Sequence, residues 1–307
     1  MINEITILIP TYNRAELLNK NLESIQNQDF KGRINCVISD NNSSDLTYDV
    51  YKKWQNRNKN IHIKYLKNDK DIPAIENFIN TTKHIDTEYS KFLQDDDWLE
   101  PEAISKISKG IEEFEADSLI FNCNIFSYRE KDPKKNYYKL STEQVSVDNV
   151  IDSFLRMKSP IPTSPSISVQ KSNLIFDALI FGKMNAECTN LLLGNDLIFT
   201  YLNVFENKKV FFINDSIVNF WGGEDSITMY ADKHMFSSCY FKSLMLLIEK
   251  FNIDVSKQQK EIIEHRIFVH NFKKLYKREL KGIKYNFRYS SKPSLNQINK
   301  YLLSKSG

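Results

Sequence analysis

Short, mostly apolar runs recur along the first hundred residues, and each is followed by a polar turn. The runs are Ile5–Ile9, Ile34–Ile38, Ile61–Leu66 and Tyr89–Leu93. Runs of this length are typical of strands that are buried on both faces of a parallel sheet. The pattern therefore predicts four strands in this part of the chain.

Apolar residues recur at helical spacing between these strands. The stretch Asn13–Glu16 has the form of a capping box, and it is followed by Leu17, Leu18, Leu22 and Ile25. A second helix is predicted from Leu46, Val50 and Trp54, and a third over Ala74–His84. Alternating strands and helices predict an α/β fold, with a mostly parallel central sheet and helices on both of its faces.

The pattern stays mixed up to about residue 230 and is helical beyond Ala231. It predicts a surface loop over Arg129–Ser141 and a rigid extended loop over Ser159–Pro165. The strands and helices expected around these loops are Ser118–Tyr128, Val147–Met157, Ser166–Gln170, Asn195–Phe205 and Val210–Phe220. We therefore expect one α/β domain over residues 1–230 and a helical extension over residues 231–307.

Composition restricts the classes of function. The 307 residues are 41% hydrophobic and 26% charged, with a net charge of +3. Such a balanced charge predicts no nucleic-acid partner. The four cysteines are scattered without a CxxC pair, which is typical of reduced cysteines in a cytosolic protein. The chain shows no basic leader and no run near the about 20 apolar residues that cross a bilayer. We expect a cytoplasmic protein, attached at most to the inner face of the cell membrane.

Polar turns follow three of the predicted strands at the ends where ligands bind in α/β sheets. Their sequences are TYNR, DNNSSD and QDDD. The acidic triplet Asp95–Asp97 has three interpretations. It is a solvated turn, a calcium loop, or a site for Mg²⁺ or Mn²⁺. The alternating ligands and central glycine of a calcium loop are missing. The position at the end of a central strand favours the magnesium or manganese site.

The stretches ILIPTYNR, ISDNNSSD and KFLQDDDW, with Asn77 between the last two, together resemble the inverting family 2 glycosyltransferases, which have the GT-A fold. The resemblance covers about residues 5–230. It implies that residues 1–100 hold a nucleotide-sugar and residues 101–230 an acceptor. The residues implied in binding the nucleotide-sugar are Pro10, Thr11, Tyr12, Arg14, Asp40, Asn77, Asp95 and Asp96.

The DxD motif of that family corresponds to Asp95 and Asp97. The resemblance implies that Asp95 faces the ribose and shares with Asp97 the binding of Mn²⁺ or Mg²⁺, which bridges the diphosphate. It further implies that Asp40 accepts a hydrogen bond from the base. The loop before Asn77 lacks the glycine that the family usually has there.

The resemblance also implies that Asp196 is the general base. The alternative is a carboxylate that caps the helix. The preceding residue is Asn195 where the family often has glutamate, and Glu187 is a weaker substitute for that glutamate. The segment Trp221–Thr228 corresponds to a flexible loop over the donor, with Gly222 and Gly223 as hinges and Ser226 or Thr228 near phosphate. His234 is either a further metal ligand or a structural residue.

The segment Asn271–Arg288 interleaves basic and aromatic residues. Three interpretations remain open, which are contact with an anionic membrane surface, a helix packed on the α/β domain, and an interface between subunits. Contact with a membrane suits a lipid-linked acceptor.

The resemblance as a whole predicts a metal-dependent hexosyl- or N-acetylhexosaminyltransferase. The expected donor is a UDP-sugar, by its frequency in the family. The expected acceptor is a surface glycan or glycopolymer of a bacterium, such as capsule, O-antigen or wall teichoic acid. A nucleotidyltransferase of similar fold and an inactive sugar-binding or scaffold module remain as alternatives.

Overall fold

One sheet of nine strands organises the part of the chain that the computed structural model describes, which is residues 2–57, 59–127, 132–156, 162–183, 194–222 and 233–267. All of these residues lie within one compact unit, residues 1–270. The strands are β1 Glu4–Thr11, β2 Arg33–Asp40, β3 Ile61–Lys67, β4 Tyr89–Phe92, β5 Trp98–Leu99, β6 Ser118–Ser127, β7 Glu143–Gln144, β8 Ser168–Lys171 and β9 Val210–Gly222.

The sheet has the strand order β3-β2-β1-β4-β8-β6-β9-β5, and β7 pairs with β9. Strands β3, β2, β1 and β4 are parallel to one another. Strand β8 is antiparallel to both of its neighbours, β4 and β6. Strands β6 and β9 are again parallel. The predicted fold class is confirmed as an α/β fold with a mixed, mostly parallel central sheet.

Eight α-helices have assigned bounds within the described ranges. They are α1 Ala15–Gln26, α2 Thr47–Trp54, α3 Ala74–Thr82, α4 Ala103–Phe114, α5 Val147–Arg156, α6 Ser172–Lys183, α7 Asn195–Phe205 and α8 Lys233–Lys250. Residues 257–267 are also helical. None of the helices within the described ranges combines the length and the apolar character that crossing a membrane requires.

The core explains why the first strands form where the apolar runs predicted them. Seven of the eight residues of β1 are buried, and so are seven of the eight residues of β2. Helix α1 covers this sheet with a stripe of buried residues, Leu18, Leu22 and Ile25. The stripe follows the spacing of one helix face. Apolar periodicity was therefore a sufficient signal for this half of the fold.

Three of the four residues of β8 are polar, yet Ser168 and Gln170 are buried together with Val169. The side chain of Gln170 donates to the Phe199 carbonyl at 2.9 Å and accepts from Asn203 at 2.9 Å. A buried amide that is paired in this way avoids the cost of an unmade hydrogen bond. The contacts with α7 therefore allow a polar strand to lie in the centre of the sheet.

Two local expectations were wrong. Asn13 does not cap α1, because it has a φ of 51° and its side chain accepts from the N–H of Ser44 at 2.8 Å. Leu46 does not join the buried face of α2, because it precedes the helix and is 67% exposed. The predicted surface loop over Arg129–Ser141 is mostly exposed where it is described, at residues 132–141, although Tyr138 is only 7% exposed.

Helix α8 packs against α7, and Gly194, which precedes α7, lies against Cys239 and Ser243 of α8. Gly194 has a φ of +83°, and a Cβ atom there would lie 2.8 Å from the carbonyl oxygen of Cys239. Only glycine meets both conditions without strain. Helix α8 is thus in direct contact with the residue that precedes α7. The domain boundary that we placed at residue 230 stays a prediction.

Candidate active site

Two turns at the ends of β1 and β2 are held together by side-chain contacts. The N–H of Asn13 donates to the hydroxyl of Ser43 at 2.9 Å. The carboxylate of Asp45 accepts from the N–H of Ala15, also at 2.9 Å. Asp45 therefore caps an N–H group in the first turn of α1. The sequence pattern had predicted that a local capping box, Asn13–Glu16, would do so. The TYNR and DNNSSD turns form one continuous rim.

The residues of the TYNR turn differ in exposure. Pro10 and Thr11 are buried, whereas Tyr12 is 45% exposed and donates to Asp71 at 3.2 Å. Thr11 donates its hydroxyl hydrogen to Asp95 at 2.7 Å. The turn thus presents one aromatic ring to solvent and fixes one carboxylate of the acidic triplet.

Asp40 is buried at the end of β2 and its carboxylate is hydrogen-bonded within the protein. One oxygen accepts from the N–H of Ser43 at 2.9 Å, and the other accepts from the hydroxyl of Tyr65. Burial, followed by this contact with Asp40, raises the pKa of Tyr65. Contact of Asp40 with a nucleobase stays a prediction.

Asn77 joins the ends of β1 and β2 from α3. Its side-chain oxygen accepts from the hydroxyl of Ser39 at 2.7 Å and from Asn68 at 3.0 Å. Its nitrogen donates to the carbonyl of Ser39 at 3.0 Å. The side chain is 4% exposed. Asn77 therefore stabilises the end of β2 through hydrogen bonds within the protein. A direct contact between Asn77 and a nucleotide-sugar stays a prediction.

Arg14 neutralises part of the acidic triplet. A single nitrogen of its guanidinium lies 3.0 Å from Asp95 Oδ1 and 2.9 Å from Asp96 Oδ2. Charge-assisted hydrogen bonds of this kind are about twice as strong as neutral ones. The repulsion between the first two carboxylates is therefore offset by a residue of the TYNR turn, which lies at the end of the neighbouring strand.

Asp97 is surrounded by different groups. Its Oδ1 atom lies 3.4 Å from the N–H of Trp221, and its carboxylate is hydrogen-bonded by the side chain of Ser166. The nearby cation is Lys91, which is fully buried in β4 and donates to the carbonyl oxygens of Phe92 at 2.7 Å and of Ser166 at 2.8 Å. Lys91 was not among the predicted site residues, because a lysine within a strand gives no sign that it is buried.

Burial dominates the pKa values of these groups. It raises the pKa of Asp95 to about 6, with repulsion from Asp96 as the next cause, while Arg14 and Thr11 act in the opposite direction. Burial and Asp96 also raise the pKa of Asp97 well above its usual range. Burial lowers the pKa of Lys91 to about 7. When all three carboxylates of the triplet are ionised, they exceed the two nearby cations, Arg14 and Lys91, by one charge, which favours a further cation.

The donor set fits Mg²⁺ or Mn²⁺. No group of three His, Cys, Asp or Glu side chains able to hold a metal ion occurs in the described part of the chain. These hard cations need only one or two carboxylates, and they complete their shell with phosphate oxygens and water. Asp97 is the better candidate ligand, because both oxygens of Asp95 already accept hydrogen bonds at 3.0 Å or less.

Asp196 lies in the first turn of α7 and is not the residue that caps it, because the cap position is Gly194. One carboxylate oxygen accepts from the hydroxyl of Tyr240, on α8. The other oxygen, Oδ1, is buried without a hydrogen-bond partner among the described residues. Burial raises the pKa of Asp196 to about 6, and the hydrogen bond from Tyr240 is the largest opposing cause. A carboxylate with these properties suits a general base.

Residues 162–166 connect the acidic triplet with Asp196. Ser166 contacts Asp97, and its hydroxyl also accepts from the N–H of Gln94 at 3.0 Å. Three residues earlier, the side chain of Thr163 interacts with Asp196. Sequence analysis identified this segment as a rigid loop from its prolines but gave no reason to place it between the two acidic sites. One short segment thus interacts with both Asp97 and Asp196.

Several predicted residues lie outside the described residues. They are Glu187, Gly223, Ser226 and Thr228, together with the side chain of His234 and the segment 271–288. Their predicted roles stay predictions. Gly222, at the end of β9, is described, and a Cβ atom there would lie 3.2 Å from the carbonyl oxygen of Phe126.

Comparison with known proteins gives a family and a fold. Residues 6–164 match the family described as Glycosyl transferase family 2. The chain is 38% identical over 104 residues to the GalNAc(5)-diNAcBac-PP-undecaprenol beta-1,3-glucosyltransferase of Campylobacter jejuni. That match covers 34% of this chain and 33% of the relative, so the chain spans about a third of that protein's length.

Two solved structures resemble the fold. The structure of S. aureus TarS 1–349 in complex with UDP-GlcNAc has a TM-score of 0.63 at 16% identity, covering 91% of this chain and 76% of that one. Mannosyltransferase PcManGT from Pyrobaculum calidifontis, in complex with GDP-Man and Mn²⁺, has a TM-score of 0.50 at 13% identity, covering 98% and 79%. Likeness at these identities shows the fold alone, and it confirms the expected GT-A architecture.

Proposed function

The chain belongs to glycosyltransferase family 2, and we propose that it moves a sugar from a nucleotide-sugar to a hydroxyl group of a bacterial surface glycan or glycopolymer. We further propose that the donor is a UDP-sugar, that Mn²⁺ or Mg²⁺ assists, and that the configuration of the transferred sugar is inverted. The single observation that carries the proposal is the convergence of Asp97 and Asp196 on residues 162–166.

In this proposal the rim formed by the TYNR and DNNSSD turns binds the nucleotide. Tyr12 offers an exposed aromatic ring beside it, and Arg14 holds Asp95 and Asp96 in place. Asp97, with Asp95, would hold the divalent ion, which supplies positive charge to the diphosphate. The relative from S. aureus that binds UDP-GlcNAc and the mannosyltransferase with GDP-Man and Mn²⁺ support this donor class.

Asp196 acts as the general base. As the acceptor oxygen forms its bond to the anomeric carbon, its proton passes to the carboxylate of Asp196. The bond from the anomeric carbon to the diphosphate breaks on the opposite face, and its electron pair leaves with the nucleoside diphosphate. The pKa of Asp196, raised by burial to about 6, makes the carboxylate a stronger base than an exposed one while leaving it ionised at neutral pH.

The acceptor is proposed as a glycan or glycopolymer, lipid-linked or polymeric. The name of the Campylobacter jejuni relative includes a lipid-linked glycan, which supports this class. We also propose that the enzyme is cytoplasmic. Residues 231–307 would contact either the membrane surface or a second subunit.

Calorimetry with a panel of nucleotide-sugars, each with and without Mn²⁺, tests the proposal. We expect one nucleotide-sugar to bind in a metal-dependent manner, and a sugar-acceptor assay with that donor to yield product of inverted configuration. Preference for a nucleoside triphosphate would instead indicate a nucleotidyltransferase. Absence of metal-dependent binding across the panel would indicate a module without transferase activity.

A further inference from the structure

The contact between Tyr240 and Asp196 crosses from one helix to another. Tyr240 lies on α8 and donates its hydroxyl hydrogen to Asp196 Oδ2 on α7. The tyrosine is 8% exposed, and its ring lies 6.3 Å from that of Phe154, to which it is nearly parallel. A buried phenol with its ring packed in this way presents its hydroxyl in one fixed direction.

The two oxygens of the Asp196 carboxylate are in different environments. Oδ2 accepts from Tyr240, whereas Oδ1 is buried without a partner among the described residues. An unpaired buried acceptor costs about 1–3 kcal/mol. Such groups are rare in folded proteins, and each requires a reason. A hydroxyl group of an acceptor would supply the missing hydrogen bond.

We infer that Tyr240 is a positioning residue for the general base, which fixes Oδ2 of Asp196 and leaves Oδ1 to receive the proton of the acceptor hydroxyl. This inference rests on the proposed function. When the acceptor proton moves to Oδ1, the hydrogen bond at Oδ2 keeps the carboxyl group from rotating. Tyr240 itself neither gains nor loses a proton, and it touches neither the donor nor the acceptor.

The surroundings of Asp196 make Tyr240 the main source of this control. The titratable groups that face Asp196 in the described part of the chain are Tyr138 and Tyr240, and both remain neutral because burial raises their pKa values. The side chain of Thr163, in the loop, also lowers the pKa of Asp196, but less than Tyr240 does. The N–H groups of Leu197 and Asp196 act in the same direction, so the named groups that favour the ionised carboxylate are all neutral.

Tyr240→Phe is the direct test, because it removes one hydroxyl and keeps the ring. We expect kcat to fall about tenfold while the KM for the donor is unchanged, since hydrogen bonds to a charged group are worth more than one factor of ten. We also expect the acid limb of the kcat/KM profile to move up by about one pH unit, because the ionised carboxylate loses a donor.

Tyr89→Phe is the matched control. The hydroxyl of Tyr89 is also buried and donates at 2.8 Å, but its partner is the Ala116 carbonyl, and Tyr89 is the first residue of β4. A purely structural loss would lower the melting temperature of both variants and leave both pH profiles in place. Equal pH profiles for Tyr240→Phe and the wild type would overturn the inference.

A second measurement does not depend on activity. The pKa of Asp196 can be followed by carbon-13 NMR of the aspartate carboxyl groups, with its signal assigned by Asp196→Asn. We expect a higher pKa in Tyr240→Phe and a lower one when a site-specific 3-fluorotyrosine, a stronger donor, replaces Tyr240. An unchanged pKa in both would overturn the inference. If the wild type transferred no sugar from any donor, the proposed function would fail, while this titration would still decide whether Tyr240 controls Asp196.

Discussion

The Nζ atom of Lys91 lies 2.8 Å from the carbonyl oxygen of Ser166, so a buried strand residue holds the segment that contacts Asp97. The same Nζ atom donates to the carbonyl of Phe92. A buried lysine is costly unless its hydrogen bonds are made and a negative charge lies near. Lys91 meets both conditions, and it connects the stability of the sheet with the geometry of the site.

Lys91→Met keeps the volume of the side chain but removes its donors and its charge. We expect a loss of about 2–4 kcal/mol in the free energy of unfolding, because two carbonyl oxygens lose their partner and Asp97 loses its nearest cation. Urea unfolding measures this change. Lys209→Met is the control, since the side chain of Lys209 is 56% exposed and its removal should cost less than about 0.5 kcal/mol. Equal stability of the two variants would contradict the role of Lys91.

Asp97→Asn should abolish metal-dependent binding of the donor. The amide keeps the size of the side chain but removes the negative charge that a divalent cation requires. Calorimetry with and without Mn²⁺ measures the effect. Asp215→Asn is the control, because Asp215 forms a surface ion pair with Lys106. This variant should bind the donor as the wild type does. Unchanged metal dependence in Asp97→Asn would remove this residue from the proposed ligands.

Asp196→Asn should bind the donor normally and lose about 10²–10⁴-fold in kcat, the usual contribution of a general base. An amide cannot take the proton of the acceptor hydroxyl at this position. Product formation and donor calorimetry, measured on the same preparation, separate the two effects. A variant that still transferred sugar at the normal rate would show that another residue is the base.

The same substitution should change how stability depends on pH. The folded pKa of Asp196 is raised to about 6, above its ordinary value of 3.8, because the group is buried. Its stabilising contribution is therefore full below the unfolded pKa and is lost as the pH rises through 6. The side chain of Asp196→Asn stays neutral at every pH. The free energy of unfolding of this variant should therefore exceed that of the wild type by up to about 3 kcal/mol at pH 8, and the two should be equal below about pH 4. Urea unfolding across this range measures the difference, and parallel curves would contradict it.

Gly194→Ala should separate α7 from α8. The new Cβ atom would lie 2.6 Å from Ser243 Oγ and 2.8 Å from the Cys239 carbonyl oxygen, at a residue with a φ of +83°. We expect a loss of about 2–4 kcal/mol from strain and overpacking. Gly182→Ala, inside α6, is the control, because its Cβ would meet nothing closer than 3.4 Å and alanine favours a helix. Thermal unfolding of both variants decides the prediction, and an equal melting temperature would contradict it.

Much of the fold could be predicted from local patterns. The strands β1 and β2 extend the apolar runs by one or two residues at each end, and α7 has the bounds that periodicity gave. Helix α6 was not predicted, although its buried residues Leu174, Ile175, Ala178 and Leu179 have helical spacing. These elements depend on neighbours in sequence, which is why a pattern can indicate them.

The candidate site was predicted only in part, because its remaining contacts join residues far apart in sequence. The acidic triplet was identified by its position after a predicted strand and Asp196 by a resemblance, and their predicted roles stay predictions. The partners that shape them, Lys91, Ser166 and Tyr240, carry no motif. The fold brings these residues together. Contacts between residues that are far apart in sequence leave no periodic pattern, so a single sequence does not predict them. Asp45 illustrates the same limit, since it caps α1 from 30 residues away.

The antiparallel position of β8 has a consequence for biosynthesis. Strand β4 pairs with β1 on one side, and its other side is covered by residues that are made about eighty positions later. Until that segment leaves the ribosome, β4 is an exposed edge strand with unpaired backbone donors and acceptors. Such an edge can pair with another nascent chain. In a fragment that ends near residue 100, β4 would remain an exposed edge strand. We expect such a fragment to aggregate and not to remain a soluble monomer.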